Sequence, residues 1–191
     1  MEFQDVVRKR RMVRRFHADR PVPAEVRDRI LHNATRGPSA GFSQGQAFLV
    51  LEGEELRKFW ALNPRENGVS TAPLLIVPFA AKHVYLDRYA QPDKGWGDRD
   101  EKRWPVPFWY IDTGMATLLI LQTVVDEGLG ALYFGILPEH VQPFRELYGV
   151  PPEYEPIGAV AIGYSDEPEQ SGSPRTRKRF ALDEVVHHGR W

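Results

Sequence analysis

Ile111-Asp112-Thr113-Gly114-Met115-Ala116-Thr117-Leu118-Leu119-Ile120-Leu121-Gln122-Thr123-Val124-Val125-Asp126-Glu127 runs directly into Gly128-Leu129-Gly130-Ala131-Leu132-Tyr133-Phe134-Gly135. Apolar residues persist over a helical length and stop at Gly128, where a helix-terminating glycine belongs. The next apolar stretch, Leu132 to Phe134, is short enough to be a strand. Leu118, Leu119, Leu121 and Val125 cover more than one face of the helix, as in a core or interface element. The longest apolar run, Met115 to Val125, is broken by Gln122 and is too short to span a bilayer.

The same alternation extends outward in both directions. Phe3, Val6, Val7 and Arg10 keep helical spacing, and Pro23 opens a second helix with the stripe Val26, Ile30, Leu31 and Ala34, ended by Gly37 and Pro38. Ala47 to Leu51 reads as a strand, Glu54 to Leu62 as a helix, and Pro73 to Ala80 as a strand rich in branched residues. A helix near Glu139 to Tyr148 and a strand from Pro156 to Gly163 complete the order. This pattern predicts one domain over residues 1–191, an α/β or α+β sheet with helices on its faces.

Tyr85 to Trp109 departs from that rhythm. It holds Trp96, Trp104 and Trp109, a charged run from Asp98 to Arg103, and Pro105 and Pro107. Loops of such length are usually lids or disordered. Disordered segments are poor in aromatics, so a lid-like excursion at about 85–109 is expected, with a purely structural excursion as the alternative.

The chain has 191 residues, a formal charge of -1 and no cysteine, which removes disulfides, thiolate metal sites and cysteine nucleophiles. Its N-terminus is charged from Glu2 onward and does not read as a secretory signal. A soluble, cytoplasmic protein is the expectation, with no membrane partner. The six histidines show no helical pair at metal-ligand spacing, so no metal is expected.

Against this balance, six of the nine residues from Arg8 to Phe16 are basic, and so are four of the five from Arg175 to Arg179. Arginine's planar fork gives paired bonds to phosphate oxygens. Either both runs are solvated faces, or an anion sits where the two ends meet. Near-zero net charge and the lack of interleaved aromatic and basic residues argue against nucleic acid.

Gly41-Phe42-Ser43-Gln44-Gly45 fits G-x-S-x-G, and Asp166 with His187 or His188 would follow Ser43 in the order of a serine hydrolase. That elbow needs a strand before it and a helix after it. Here a helix and a Gly-Pro break precede, and a strand follows. The stretch reads better as a backbone cradle: Pro38 to Gln44 offers small residues, two hydroxyls and free amides for the polar edge of a flat ligand.

With these residues in place, the chain resembles the nitroreductase family of FMN-dependent oxidoreductases. Members carry an R-R-S-x-R-x-F pattern, a P-S-S-x-N-x-Q-like loop and a basic C-terminal motif. The corresponding residues are Arg10-Arg11-Met12-Val13-Arg14, then Pro38-Ser39-Ala40 with Gln44, then Gly128 to Gly135, Ile157 to Tyr164, and Arg177-Lys178-Arg179. The resemblance implies an α+β fold with a mainly antiparallel central sheet flanked by helices, in a homodimer with FMN at the subunit interface. It implies that Arg10, Arg11 and Arg14 face the FMN phosphate, closed by Arg177 and Arg179. Pro38, Ser39, Ala40 and Gln44 would line the ribityl chain and ring edge, and the Gly135 region would bring an N–H near flavin N5. Spacing adds that Arg10 and Arg14, four apart, share a helix face.

The implied activity is hydride transfer from NADH or NADPH through flavin N5 to a nitroaromatic, quinone or similar acceptor, in ping-pong fashion and without a protein nucleophile. The chain departs from the pattern at Met12, where a serine is common, at Phe42, where asparagine is frequent, and at Phe134, acidic in some subgroups. A flavin-consuming or dehalogenating enzyme of the same fold is the second reading.

Overall fold

The computed structural model describes residues 1–66, 68–167 and 176–191. At its centre lies β2 (Leu74–Ala80), all seven residues of which are buried. A strand covered on both faces needs apolar residues at every position, and Leu-Leu-Ile-Val-Pro-Phe-Ala supplies them. β2 pairs antiparallel with β1 (Gln46–Glu52) on one side and with β5 (Ala159–Gly163) on the other. β5 in turn pairs antiparallel with β3 (Gly130–Phe134), giving the order β1-β2-β5-β3, and the two-residue β4 (Glu155–Pro156) adds to β2. The α+β, antiparallel expectation is met.

Two helical layers close the sheet. On one face, α2 (Ala24–Ala34) and α5 (Phe108–Asp126) bury Ile30, Ala34, Ile120 and Val124 against Leu74, Ile76, Val160 and Ile162. On the other, α3 (Gly53–Leu62) and α6 (Pro138–Tyr148) bring Leu56, Phe59 and Phe144 onto Leu75, Val77 and Ala161. Period-two alternation along β2 and β5 sends neighbouring side chains to opposite layers. Removing this much apolar surface from water, at roughly 25 cal/mol per Å², is the main drive for the sheet to form.

α5 ends as its sequence predicts. Gly128 takes φ 72°, its amide bonds the Val125 carbonyl, and the Leu129 amide bonds that of Val124 over 2.9 Å. This is a Schellman cap, and it turns the chain straight into β3. The helix is longer than the apolar run suggested. Over its 19 residues it is long and apolar enough to cross a bilayer, yet here it lies along the sheet with half of that window buried.

Three expectations are corrected. α1 (Phe3–Lys9) stops before Arg10, whose ψ of 117° is extended. Arg10 and Arg14 therefore share no helix face. Residues 10–16 run alongside the sheet, bridged at Met12 to Ala131 and at Phe16 to Ser165. The strand expected over Pro156 to Gly163 is interrupted between β4 and β5, where Ile157 bonds back to Pro78. Finally, the excursion opens with a helix, α4 (Lys82–Tyr89), and Tyr85 is fully buried. A short α7 (Leu182–Val185) lies in the exposed C-terminal tail.

Candidate functional site

The arginine run is shaped by the edge of β3. The Val13 amide donates to the Ala131 carbonyl over 2.8 Å, and Val13 and Phe16 are buried. Extended geometry sends neighbouring residues to opposite sides, so the arginines between these anchors part company. Arg11 reaches the Ser165 hydroxyl at 3.2 Å and the largely buried Glu167 carboxylate at 3.8 Å. Arg15 turns to Asp166, bonding its carbonyl at 2.8 Å and its carboxylate at 3.3 Å. The Arg14 amide donates to the Glu167 carboxylate, while Nη1 of the Arg14 guanidinium is buried with no hydrogen-bond partner among the described residues. Arg10, half-buried at the end of α1, makes no side-chain hydrogen bond among the described residues.

Met12 packs against both core layers, and its sulfur lies 3.5 Å from the Tyr133 amide. The Tyr133 hydroxyl, its pKa raised by burial, donates to the Ile157 carbonyl. Phe134 points to the opposite layer, stacked on Trp60 with centroids 5.8 Å apart. Gly135 is exposed, and its carbonyl accepts from Arg65 at 2.8 Å.

The loop from Pro38 to Gln44 is held from the other side. Its short 3-10 turn, Ala40–Phe42, contains Gly41 at φ 61°, and the non-glycine residues Phe42 and Gln44 stand at φ 54° and 56°. Ser39 Oγ accepts from the Gln44 amide at 3.0 Å, and Ser43 Oγ donates to the Ala40 carbonyl at 2.6 Å. The Ala40 amide donates to the buried Asp112 of α5 over 2.8 Å. Pro38 and Gln44 are exposed; Ser39 and Ala40 are half-buried. Ile157 connects this loop to the arginine run: its carbonyl takes the Tyr133 hydroxyl, and it packs with Ala40 against the Ala80, Tyr85 and Trp109 cluster.

Arg177 and Arg179 are exposed. Arg175 lies outside the described residues. Among the described residues, no hydrogen bond or ion pair joins Arg177 or Arg179 to the arginines of residues 10–16.

Ser43 is not arranged as a nucleophile. Its hydroxyl is tied to Ala40, β1 follows it, Asp166 is engaged by Arg15, and the His187 ring lies tilted against Trp191. No group of three or more metal-ligating side chains occurs among the described residues.

Sequence reasoning missed Asp112, Tyr85, Arg65 and Glu167. For Asp112 a signal existed: it is a lone acid three residues after Trp109 and four before Ala116, on the buried stripe of an apolar helix.

Comparison with known proteins decides the lineage. The sequence profile of the Nitroreductase family matches residues 7–164. The chain belongs to the nitroreductase family. A Methanothermobacter thermautotrophicus relative named NADH dehydrogenase/NAD(P)H nitroreductase is 29% identical, covering 100% of this chain and 88% of its own length. A Staphylococcus aureus (strain USA300) NADPH-dependent oxidoreductase is 23% identical, covering 98% of this chain and 73% of its own length. Among solved structures, a nitroreductase family protein from Clostridium difficile 630 superposes with TM-score 0.76 at 25% identity, covering 100% of both chains. A nitroreductase in complex with FMN from Exiguobacterium sibiricum 255-15 gives TM-score 0.78 at 19% identity, covering 98% of this chain and 97% of that one. This nitroreductase-family chain thus shares its whole fold, with the arginine run and the 38–44 loop both inside the matched span.

Proposed function

We propose that this protein is an FMN-dependent NAD(P)H oxidoreductase. The observation that carries the reading is the buried Nη1 of Arg14, without a partner among the described residues, beside Arg11 and Arg15, which are already matched by Glu167 and Asp166. A buried donor without an acceptor is costly. A phosphate monoester, with about two negative charges and several acceptor oxygens, answers it. The names of the family's relatives and the FMN complex of the Exiguobacterium protein support the same choice.

In this reading Arg14 and Arg10 hold the phosphate, and Arg11 sets the local field while braced by Glu167. Met12 offers only its half-exposed flank, since its side chain is also core. Ser39, Ala40, Pro38 and Gln44 contact the ribityl chain and ring edge, and Phe134 with Gly135 presents backbone polar groups at the other margin. FMN bound there would supply two-electron chemistry at N5, taking hydride from NADH or NADPH and passing it to a nitroaromatic, quinone or similar acceptor by ping-pong turnover. The chain's own part is to bind, orient and shield.

A homodimer belongs to this reading. α5 leaves Tyr110, Ile111, Met115 and Leu118 exposed, and the tail leaves Phe180, Leu182, Val185 and Trp191 exposed. An apolar tail of that kind suits a second chain, and through it Arg177 and Arg179 would reach the partner's phosphate site. NAD(P)H as reductant fits a cytoplasmic location.

The test is direct. Purified protein titrated with FMN should bind it tightly and show the flavin absorption bands, which NADH or NADPH should bleach and a quinone restore. Flavin consumed without added acceptor would favour the flavin-fragmenting reading, and no FMN binding would overturn both.

A further inference from the structure

The 39–44 loop is backbone under strain. Gly41, Phe42 and Gln44 all adopt positive φ, and the two non-glycine residues do so at a cost of about 1 kcal/mol or more each. Phe42 is 77% exposed, so its own packing does not hold it there. Such a conformation persists only where its surroundings enforce it.

The enforcement comes from α4 and α5. Asp112 Oδ2 accepts the Ala40 amide and the Tyr85 hydroxyl, each at 2.8 Å. It is a buried carboxylate with two neutral donors and no ion pair among the described residues. Arg88 Nε donates to the Gly41 carbonyl over 3.0 Å. A Cβ on Gly41 would stand 2.6 Å from the Tyr89 ring, and one on Gly45 would stand 2.4 Å from the Tyr85 ring. Tyr85 and Tyr89 in turn contact Trp104, with centroids 6.1 and 4.5 Å away. α4 thus carries hydrogen-bond and ring contacts between the excursion and the loop, Ala40 also packs on the cluster that holds Trp109, and the innermost hydrogen bonds meet on one carboxylate oxygen.

We propose that Asp112 is a positioning residue that couples the 85–109 excursion to the ligand loop, joining Tyr85 and Ala40 so that residues 39–44 are held in their ligand-ready shape. Its role toward FMN rests on the flavin reading above; its role as a coupler does not. Burial and the Asp112 hydrogen bond push the Tyr85 phenol far above its ordinary pKa, so it remains a donor throughout the physiological range. Asparagine at 112 can offer one carbonyl oxygen to both donors. Alanine can offer none.

Two measurements on the full chain decide this. First, in apo protein the amides of Ala40, Phe42, Ser43 and Gln44 are each hydrogen-bonded and report loop opening by hydrogen exchange. Tyr85→Phe and Asp112→Ala should raise their exchange by about tenfold together with that of residues 85–104, while Asp112→Asn should stay within about threefold of wild type. Second, FMN titration should weaken by about tenfold in Asp112→Ala and about threefold in Tyr85→Phe, and be restored in Asp112→Asn. Should Asp112→Ala fail to fold, Tyr85→Phe and Asp112→Asn carry both measurements. Loosening of residues 85–104 with unchanged exchange at 40–44 overturns the coupling. Wild type that binds FMN, with Tyr85→Phe and Asp112→Ala binding equally well, overturns the ligand role alone. Wild type that does not bind FMN sinks the flavin reading, and the exchange measurement still decides the coupling.

Discussion

Arg65 donates to the Gly135 carbonyl over 2.8 Å while its guanidinium lies over the Phe134 ring, 5.3 Å from the centroid. One side chain from beyond α3 thereby fixes both residues at the exit of β3. Lysine cannot make both contacts, because it lacks the planar fork. If the Gly135 peptide borders the flavin, Arg65→Ala should slow reduction by NADH about three- to tenfold, with FMN affinity within about twofold of wild type. Arg65→Lys should recover little. Stopped-flow reduction checks both variants, and unchanged rates would detach Gly135 from the chemistry.

Arg14 and Arg11 should separate cleanly. Arg14→Ala removes a charged donor of about 1.5 to 3 kcal/mol and should weaken FMN roughly ten- to a hundredfold. Arg11 is already matched by Ser165 and Glu167. Arg11→Ala should cost FMN less than about threefold yet lower Tm by a few degrees, because the largely buried Glu167 carboxylate loses a cation. Fluorescence titration beside thermal melts distinguishes the two. Equal losses of affinity would reassign Arg11 to the phosphate.

The contrast between those arginines shows what the sequence could and could not convey. β2 was legible because seven consecutive apolar residues bounded by Pro73 and the charged α4 have one economical fate, a central strand. The stop at Gly128 was legible because its cap is local. The helical spacing of Phe3, Val6 and Val7 extends in pattern to Arg10 and Arg14, and nothing local marks where the bridge from Met12 to Ala131 takes over. The partner of Arg11 stands 156 residues away in Glu167, a contact no window can reveal. Asp112 was invisible as a partner for the same reason: Ala40 and Tyr85 reach it only once α4 has folded back.

A pH effect follows from Arg29 and Glu127, whose paired bonds of 2.6 and 3.0 Å tie α2 to the end of α5. The Arg29 hydrogen bond holds the Glu127 carboxyl below the usual carboxylate range. A depressed folded-state pKa means the stabilisation is present above the unfolded glutamate value, about 4.3, and is lost as pH falls through the folded one. Wild type should therefore melt a few degrees at most above Glu127→Gln near pH 7, since Arg29 is half exposed and screened. The gap should close as the solution is acidified below pH 4. A gap that widens on acidification would contradict the sign.

The excursion yields the final prediction, because its inner and outer parts do different work. Trp104 meets Tyr85, Tyr89, Trp96, Phe108 and Trp109 with centroids 4.5 to 6.1 Å away, while the charged residues around it are exposed. Trp104→Ala should cost about 3 kcal/mol of stability and also loosen the ligand loop, since the cluster backs the Tyr85 and Asp112 contact. Replacing residues 91–103 by a short Gly/Ser linker, with Tyr89 and Trp104 kept, leaves that contact in place. If the outer part covers the flavin face, the linker variant should bind FMN as wild type does, yet show a changed acceptor KM and faster reoxidation by oxygen, because water and oxygen gain access. Stopped-flow reoxidation and steady-state acceptor kinetics provide the check. Wild-type values for both, with FMN bound, would make residues 91–103 a structural flange and leave the cover to another element.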